Sequence, residues 1–115
     1  MLRRAQPDED RDVLEVAPVK LDMRRHRAFK HGVELRLTDT EFRMLALLLK
    51  RPGEVVTRDD FLKHVWGEDV YVTHRSVDTH IAALRRKIED DVAHPACILS
   101  VRNVGYRFND NFTRS

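Results

Sequence analysis

The segment from Thr73 to Glu89 constrains this chain more than any other. Val77, Ile81, Leu84 and Ile88 are spaced by four, three and four residues. At ~100° per residue they fall within roughly 60° of one another on a helix, a stripe fit for a core. Opposite them lie Arg75, Thr79, Ala82 and Arg86; Asp78 and Arg85 take one flank, and Ser76, His80, Ala83 and Lys87 the other. A solvated helix face usually carries long polar residues throughout, whereas this one is small in the middle and cationic at both ends. Such a face can approach another surface closely, and its end cations can reach phosphates on either side of a DNA major groove about 12 Å wide. Arg75 lies in the first turn, where the helix dipole disfavours a cation, so it needs another reason, of which an external phosphate is one. Two readings stand for Arg85-Arg86-Lys87: phosphate contacts, or complements to the dipole at the helix C-terminus.

The rest of the sequence supplies a frame for that helix. From Leu14 to Leu37 the pattern is strand-like: Leu14, Val16, Val19 and Leu21 are apolar among polar neighbours, and Pro18 marks an edge or a break. Lys30-His31-Gly32 reads as a tight turn, followed by the clean alternation Val33-Glu34-Leu35-Arg36-Leu37. A small antiparallel N-terminal sheet is expected. Thr38-Asp39-Thr40-Glu41 is a capping box opening a first helix, with Phe42, Leu45, Leu48 and Leu49 on one face and Pro52-Gly53 at its end. A second helix starts at Thr57, with Asp60 in the same reciprocal role, buries Phe61, Leu62, Val65 and Trp66, and stops at Gly67. After the third helix, Pro95 forbids continuation. Cys97–Arg102 and Tyr106–Phe108, joined through Asn103-Val104-Gly105, read as a terminal β-hairpin. Arg102 sits at its turn, where it is either a solvated arginine or a cation aimed at a minor groove. Gly105 is expected for backbone reasons.

The predicted class is therefore α+β: a winged helix-turn-helix with an N-terminal antiparallel sheet, three helices and a C-terminal hairpin wing. The domain is assigned to 13–109, with a linker or tail over 1–12 and a C-terminal tail over 110–115. A net charge of +2 with 35% charged residues does not by itself mark a nucleic-acid binder; the placement of the cations does. No apolar run is long enough to span a bilayer, so no membrane is expected. The lone Cys97 fits a reducing cytoplasm.

Catalysis and metal binding find little support. His26, His31, His64, His74, His80 and His94 show no paired ligand spacing, and Cys97 has no second cysteine. Asp59-Asp60 sits at a helix start, where carboxylates are stabilised without catalysis. No enzyme activity, cofactor or metal is expected. The rival to DNA binding is a winged helix that docks protein, but the outward face of 73–89 offers no large apolar anchor.

Several motifs in register resemble the OmpR/PhoB-type winged-helix DNA-binding domain of two-component response regulators. They are Leu37-Thr38-Asp39-Thr40-Glu41-Phe42-Arg43-Met44-Leu45, Thr57-Arg58, His64-Val65-Trp66-Gly67, Arg75-Ser76-Val77-Asp78-Thr79-His80-Ile81, Leu84-Arg85-Arg86-Lys87-Ile88 and Val101-Arg102-Asn103-Val104-Gly105-Tyr106-Arg107. The resemblance implies double-stranded DNA as partner, with the third helix in the major groove and the wing near Arg102 in the minor groove. By it, Asp78, Thr79, Ala82 and Ala83 face base edges. Arg75, Ser76, Arg85 and Arg86 clamp phosphates, and Arg58 and Trp66 touch the backbone from the second helix. The loop Glu68, Asp69, Val70, Tyr71 and Val72 corresponds to a segment that meets RNA polymerase in some relatives. Tandem binding to direct repeats about one helical turn apart is implied. Ala82 and Ala83 stand where the family often carries Arg or other long polar residues, which shifts the expected readout there toward thymine methyls. Asn103 stands where Gly is common and tolerates the same left-handed backbone. A phosphoacceptor receiver domain needs ~100 further residues, so the chain is expected to be the effector part of a longer regulator, working with that receiver domain.

Overall fold

The computed structural model describes residues 12–67 and 72–110. The expected linker, apart from Asp12, the expected C-terminal tail, apart from Asp110, and loop residues Glu68, Asp69, Val70 and Tyr71 lie outside the described residues.

The N-terminal half opens with a four-stranded antiparallel sheet in the order β1-β2-β3-β4. The strands are β1 (Val13–Val16), β2 (Val19–Asp22), β3 (Arg27–Lys30) and β4 (Val33–Leu35). Pro18 stands in the β1–β2 turn, so its missing N–H costs the ladder nothing. The β2–β3 turn is closed by Asp22, whose carboxylate accepts from the backbone N–H of Arg25 at 3.0 Å. The β3–β4 turn uses two left-handed residues, His31 (φ 51°) and Gly32 (φ 80°), matching the twist of a hairpin. β3 falls within the stretch Leu14 to Leu37 expected to be strand-like, but it ends on Lys30, which the sequence reading placed in the turn.

Helix α1 (Asp39–Lys50) begins at the expected capping box, with Glu41 N–H donating to Thr38 Oγ1 at 3.1 Å and Thr38 N–H donating to Glu41 Oε1 at 3.0 Å. Its apolar face is wider than the sequence stripe suggested. Met44, Leu45, Ala46, Leu47, Leu48 and Leu49 are all buried, as befits a helix packed on several sides. A short strand, β5 (Val55–Thr57), follows; the sequence reading did not anticipate it. Helix α2 (Arg58–Phe61) is capped by Thr57 and Asp60 and runs on through one π-helical turn over Leu62–Trp66. The Gly67 N–H reaches back to Leu62 C=O, and Gly67, at φ 71°, ends the helix.

Helix α3 (His74–Ile88) buries Val77, Ile81, Leu84 and Ile88, as the periodicity predicts. The hairpin β6 (Ile98–Val101) and β7 (Gly105–Phe108) closes the fold. With β5 it forms a second sheet in the order β5-β7-β6. One core joins these layers, centred on Leu21, Met44, Leu48, Phe61, Ile81, Leu84, Ile98 and Phe108. Among the described residues no helix is long and apolar enough to cross a membrane.

Candidate nucleic-acid interface

With its apolar stripe held by the core, α3 turns Arg75, Thr79, Ala82 and Arg86 outward, and all four are exposed. Ser76, Asp78, Ala83 and Arg85 flank them half-buried. The Thr79 hydroxyl donates to Arg75 C=O at 3.0 Å, which leaves its oxygen lone pairs toward solvent. His80 Nδ1 lies 2.8 Å from Ser76 C=O, so that nitrogen carries the proton. Its ring meets Trp66 edge-on at 5.2 Å, which ties the end of α2 to the middle of α3.

The cations divide into two groups. Arg75, Arg86 and Arg102 are exposed, and their side chains pair with no carboxylate among the described residues. Lys87, Arg85, Arg58 and Lys30 are instead engaged inside the domain. Lys87 Nζ lies 2.6 Å from Glu41 Oε1, whose side chain is only 5% exposed, and so fastens α3 to α1. Arg85 donates through Nε and Nη2 to Ile98 C=O at 3.2 and 2.8 Å, and through Nη2 to Ser100 Oγ at 2.9 Å, binding α3 to β6. Arg58 Nε donates to Asp78 Oδ1 at 2.8 Å. Lys30 Nζ reaches across from β3 to Ile88 C=O at 2.5 Å and Asp90 at 2.7 Å, a cation at the helix C-terminus where the dipole favours one. Of the residues expected to reach DNA, Arg58, Asp78 and Arg85 meet around Tyr106 and Trp66 meets α3 at His80, and Arg58 and Arg85 hold elements in place.

Asp78 is the centre of a small network. Its Oδ1 accepts from Arg58 and, at 2.6 Å, from the Tyr106 hydroxyl. Partial burial opposes ionisation of this carboxyl, but the bonds from Tyr106 and Arg58 and the charge of Arg58 outweigh it and hold its pKa below the ordinary value. Burial, then the bond to Asp78 and its negative charge, push the Tyr106 phenol up. The guanidinium groups of Arg58 and Arg85 lie 5.6 and 5.4 Å from the Tyr106 ring centroid. Tyr106 was not singled out from sequence. The signal was present: in β7 it alternates with Arg107 and so faces inward, and a buried phenol needs a partner for its hydroxyl.

The wing turn spans Arg102, Asn103 and Val104. Asn103 adopts φ 64°, the left-handed conformation expected for it. Arg102 is exposed, and so is Val104, an apolar tip the sequence reading passed over. Gly105 is required by close approach: a Cβ there would sit 2.2 Å from Val56 O and 2.8 Å from Thr57 Cα. Val72 is the described end of the loop that precedes α3.

A family described as "Transcriptional regulatory protein, C terminal" matches residues 32–108, well over half of the chain. The phosphate regulon transcriptional regulatory protein PhoB of Rhizobium meliloti is 41% identical over 106 residues, covering 92% of this chain and 46% of the relative. The DNA-binding response regulator MtrA of Mycolicibacterium paratuberculosis is 38% identical over 104 residues, covering 90% and 46%. The chain spans just under half the length of these relatives. Among solved structures, the response regulator DrrB of Thermotoga maritima, an OmpR/PhoB homolog, superposes with a TM-score of 0.79 at 34% identity, over 92% of this chain and 49% of that one. The RstA DNA-binding domain of Klebsiella pneumoniae, solved with the RstA box, gives 0.76 at 30% identity, over 85% and 97%. The chain therefore belongs to the family of transcriptional regulatory protein C-terminal domains, as an OmpR/PhoB-type winged-helix effector domain of a response regulator.

Proposed function

We propose that this chain binds double-stranded DNA sequence-specifically and regulates transcription, with α3 in the major groove and the wing in the adjacent minor groove. The observation that carries this reading is the outward face of α3: small residues at its centre, exposed arginines at both ends whose side chains pair with no carboxylate among the described residues, and no large apolar anchor for a protein partner. Thr79, Ala82 and Ala83 face base edges, the alanines through thymine methyls. Asp78 adds a contact through Oδ2, the oxygen that Arg58 and Tyr106 leave free of hydrogen bonds among the described residues. Arg75 and Arg86 clamp phosphates, aided by Ser76 and Trp66 and by the guanidinium edges that Arg58 and Arg85 still expose. Arg102 enters the minor groove with Val104 beside it, a cation and an apolar wedge together.

The finer partners belong to the same proposal. One module reads few bases, so two copies bind direct repeats about one helical turn apart. The segment Glu68–Val72 meets RNA polymerase, and a receiver domain in the parent regulator controls pairing, all in the cytoplasm. The domain's chemistry is recognition and not catalysis, in keeping with a family of transcriptional regulators.

Selection of bound duplexes from random DNA, followed by titration across salt, tests the reading. About three phosphate contacts give a slope of log affinity against log salt near −3, roughly 40-fold weaker binding between about 50 and 200 mM. Replacing Thr79 with Ala should change the selected sequence at one or two positions, at about 1–3 kcal/mol for the lost contact. Binding that ignores salt would favour a protein-docking winged helix instead.

A further inference from the structure

The bond between Tyr106 and Asp78 joins two parts of the interface that lie 28 residues apart in sequence. Asp78 neighbours Thr79 in the middle of the outward helix. Tyr106 stands in β7, one residue beyond the glycine that ends the wing turn and four beyond Arg102. Tyr106 is 6% exposed; its ring packs edge-on to Phe61 at 6.3 Å and carries the guanidinium groups of Arg58 from α2 and Arg85 from α3. Arg85 in turn grips Ile98 and Ser100 on the other wing strand. Both strands of the wing are thus pinned to α3 at the facing pair Ser100 and Tyr106, one pair below the wing turn. The wing tip beyond Val101 makes no such bond to the helix among the described residues, so its position follows from that pair.

We propose that Tyr106 is a positioning residue for DNA recognition: its hydroxyl, through Asp78, fixes the angle between the wing and α3, so that Arg102 and the helix engage the duplex as one rigid unit. Resting on the DNA-binding reading above, this adds a residue that acts through others. A wing tip loosened above that pair would have to be ordered at binding, and the contact made by Arg102 would lose part of its value.

A double-mutant cycle on the 115-residue chain tests it, using a duplex selected from random DNA by the unmodified chain. Tyr106→Phe keeps the ring, its packing and its cation contacts and removes only the hydroxyl. Arg102→Ala is expected to weaken binding about 10-fold in the unmodified chain and only about 2-fold beside Tyr106→Phe, a coupling of about 5-fold. Asp78→Asn, which keeps an acceptor oxygen for the phenol, should preserve the coupling. Should Tyr106→Phe fail to fold, Asp78→Ala removes the same bond from the helix side and takes its place in the cycle. An equal loss from Arg102→Ala in both backgrounds overturns the positioning role and leaves DNA binding intact. No loss from Arg102→Ala in the unmodified chain overturns the wing contact and the coupling with it. Failure to recover any duplex overturns the DNA-binding reading itself.

Discussion

In the four-stranded sheet each strand pairs with the next along the chain through a short turn, whereas in the three-stranded sheet β5 pairs with β7 across α2, α3 and β6. The first sheet is a platform of local contacts. The second is a clasp that closes around the helices and returns the chain beside Thr57, where α2 starts. It also carries Ser100, Tyr106 and the carbonyl of Ile98, to which the outward helix is tied. A local turn confines its own flaw, while a flaw in a long-range clasp misplaces everything between its ends.

Gly105 in β7 and Gly32 in the β3–β4 turn make the sharpest comparison. Gly105→Ala would place a methyl 2.2 Å from Val56 O, where backbone of β5 must move. A loss of about 3 kcal/mol is expected from overpacking, with DNA binding lost alongside. Gly32→Ala, by contrast, meets no atom within 4 Å and is penalised only for its φ of +80°, about 1 kcal/mol. Urea unfolding of both variants measures the difference. Equal losses would break the distinction between platform and clasp.

Ion pairs anchored on α3 sharpen it through pH. Burial raises the Glu41 pKa, but the bond and charge of Lys87 and the bonds from Thr38 lower it further, so the net shift is downward. Asp78 is shifted the same way. A lowered folded-state pKa means that the unfolded state binds the proton more readily. The stability these groups contribute is therefore complete above their unfolded values, about 3.9 for Asp and 4.3 for Glu, and is lost as the pH falls through the folded ones. Glu41→Gln should cost roughly 1–2 kcal/mol near neutrality, less than a fully buried pair because Lys87 is 38% exposed. The gap from the unmodified chain should hold above about pH 5 and close below about pH 4. A gap that persists into acid would show that Glu41 acts only as a helix cap.

What the sequence made legible follows the same division. Capping boxes at Thr38 and Thr57, the stripe Val77-Ile81-Leu84-Ile88 and the turn at His31-Gly32 are local signals, and each element stands where its signal places it. β5 was missed because three residues carry no period and its partner lies at the far end of the chain. The outward set Arg75, Thr79, Ala82 and Arg86 was legible because it is the complement of the core stripe. The engagement of Arg58, Arg85 and Lys87 was not, since a cation's partner depends on tertiary contacts: Asp78 on the neighbouring helix, Ile98 on the wing, Glu41 on α1.

That last division yields the prediction with the smallest effect on stability. The side chains of Arg75 and Arg86 hold no partner among the described residues, so replacing either with Ala should change folding stability by no more than about 0.5 kcal/mol. Each should weaken binding to selected and unselected duplexes alike and reduce the salt slope by about 1, as loss of one phosphate contact requires. Arg85→Ala removes bonds to Ile98 and Ser100 and a cation from the Tyr106 ring. It should cost about 1 kcal/mol of stability and change the salt slope less than Arg75→Ala does. Unfolding curves and salt titrations on the three variants separate a phosphate clamp from a strut. If Arg85→Ala leaves stability untouched and lowers the slope as much as Arg75→Ala, its ties to the wing give way on DNA, and the guanidinium belongs with the exposed cations after all.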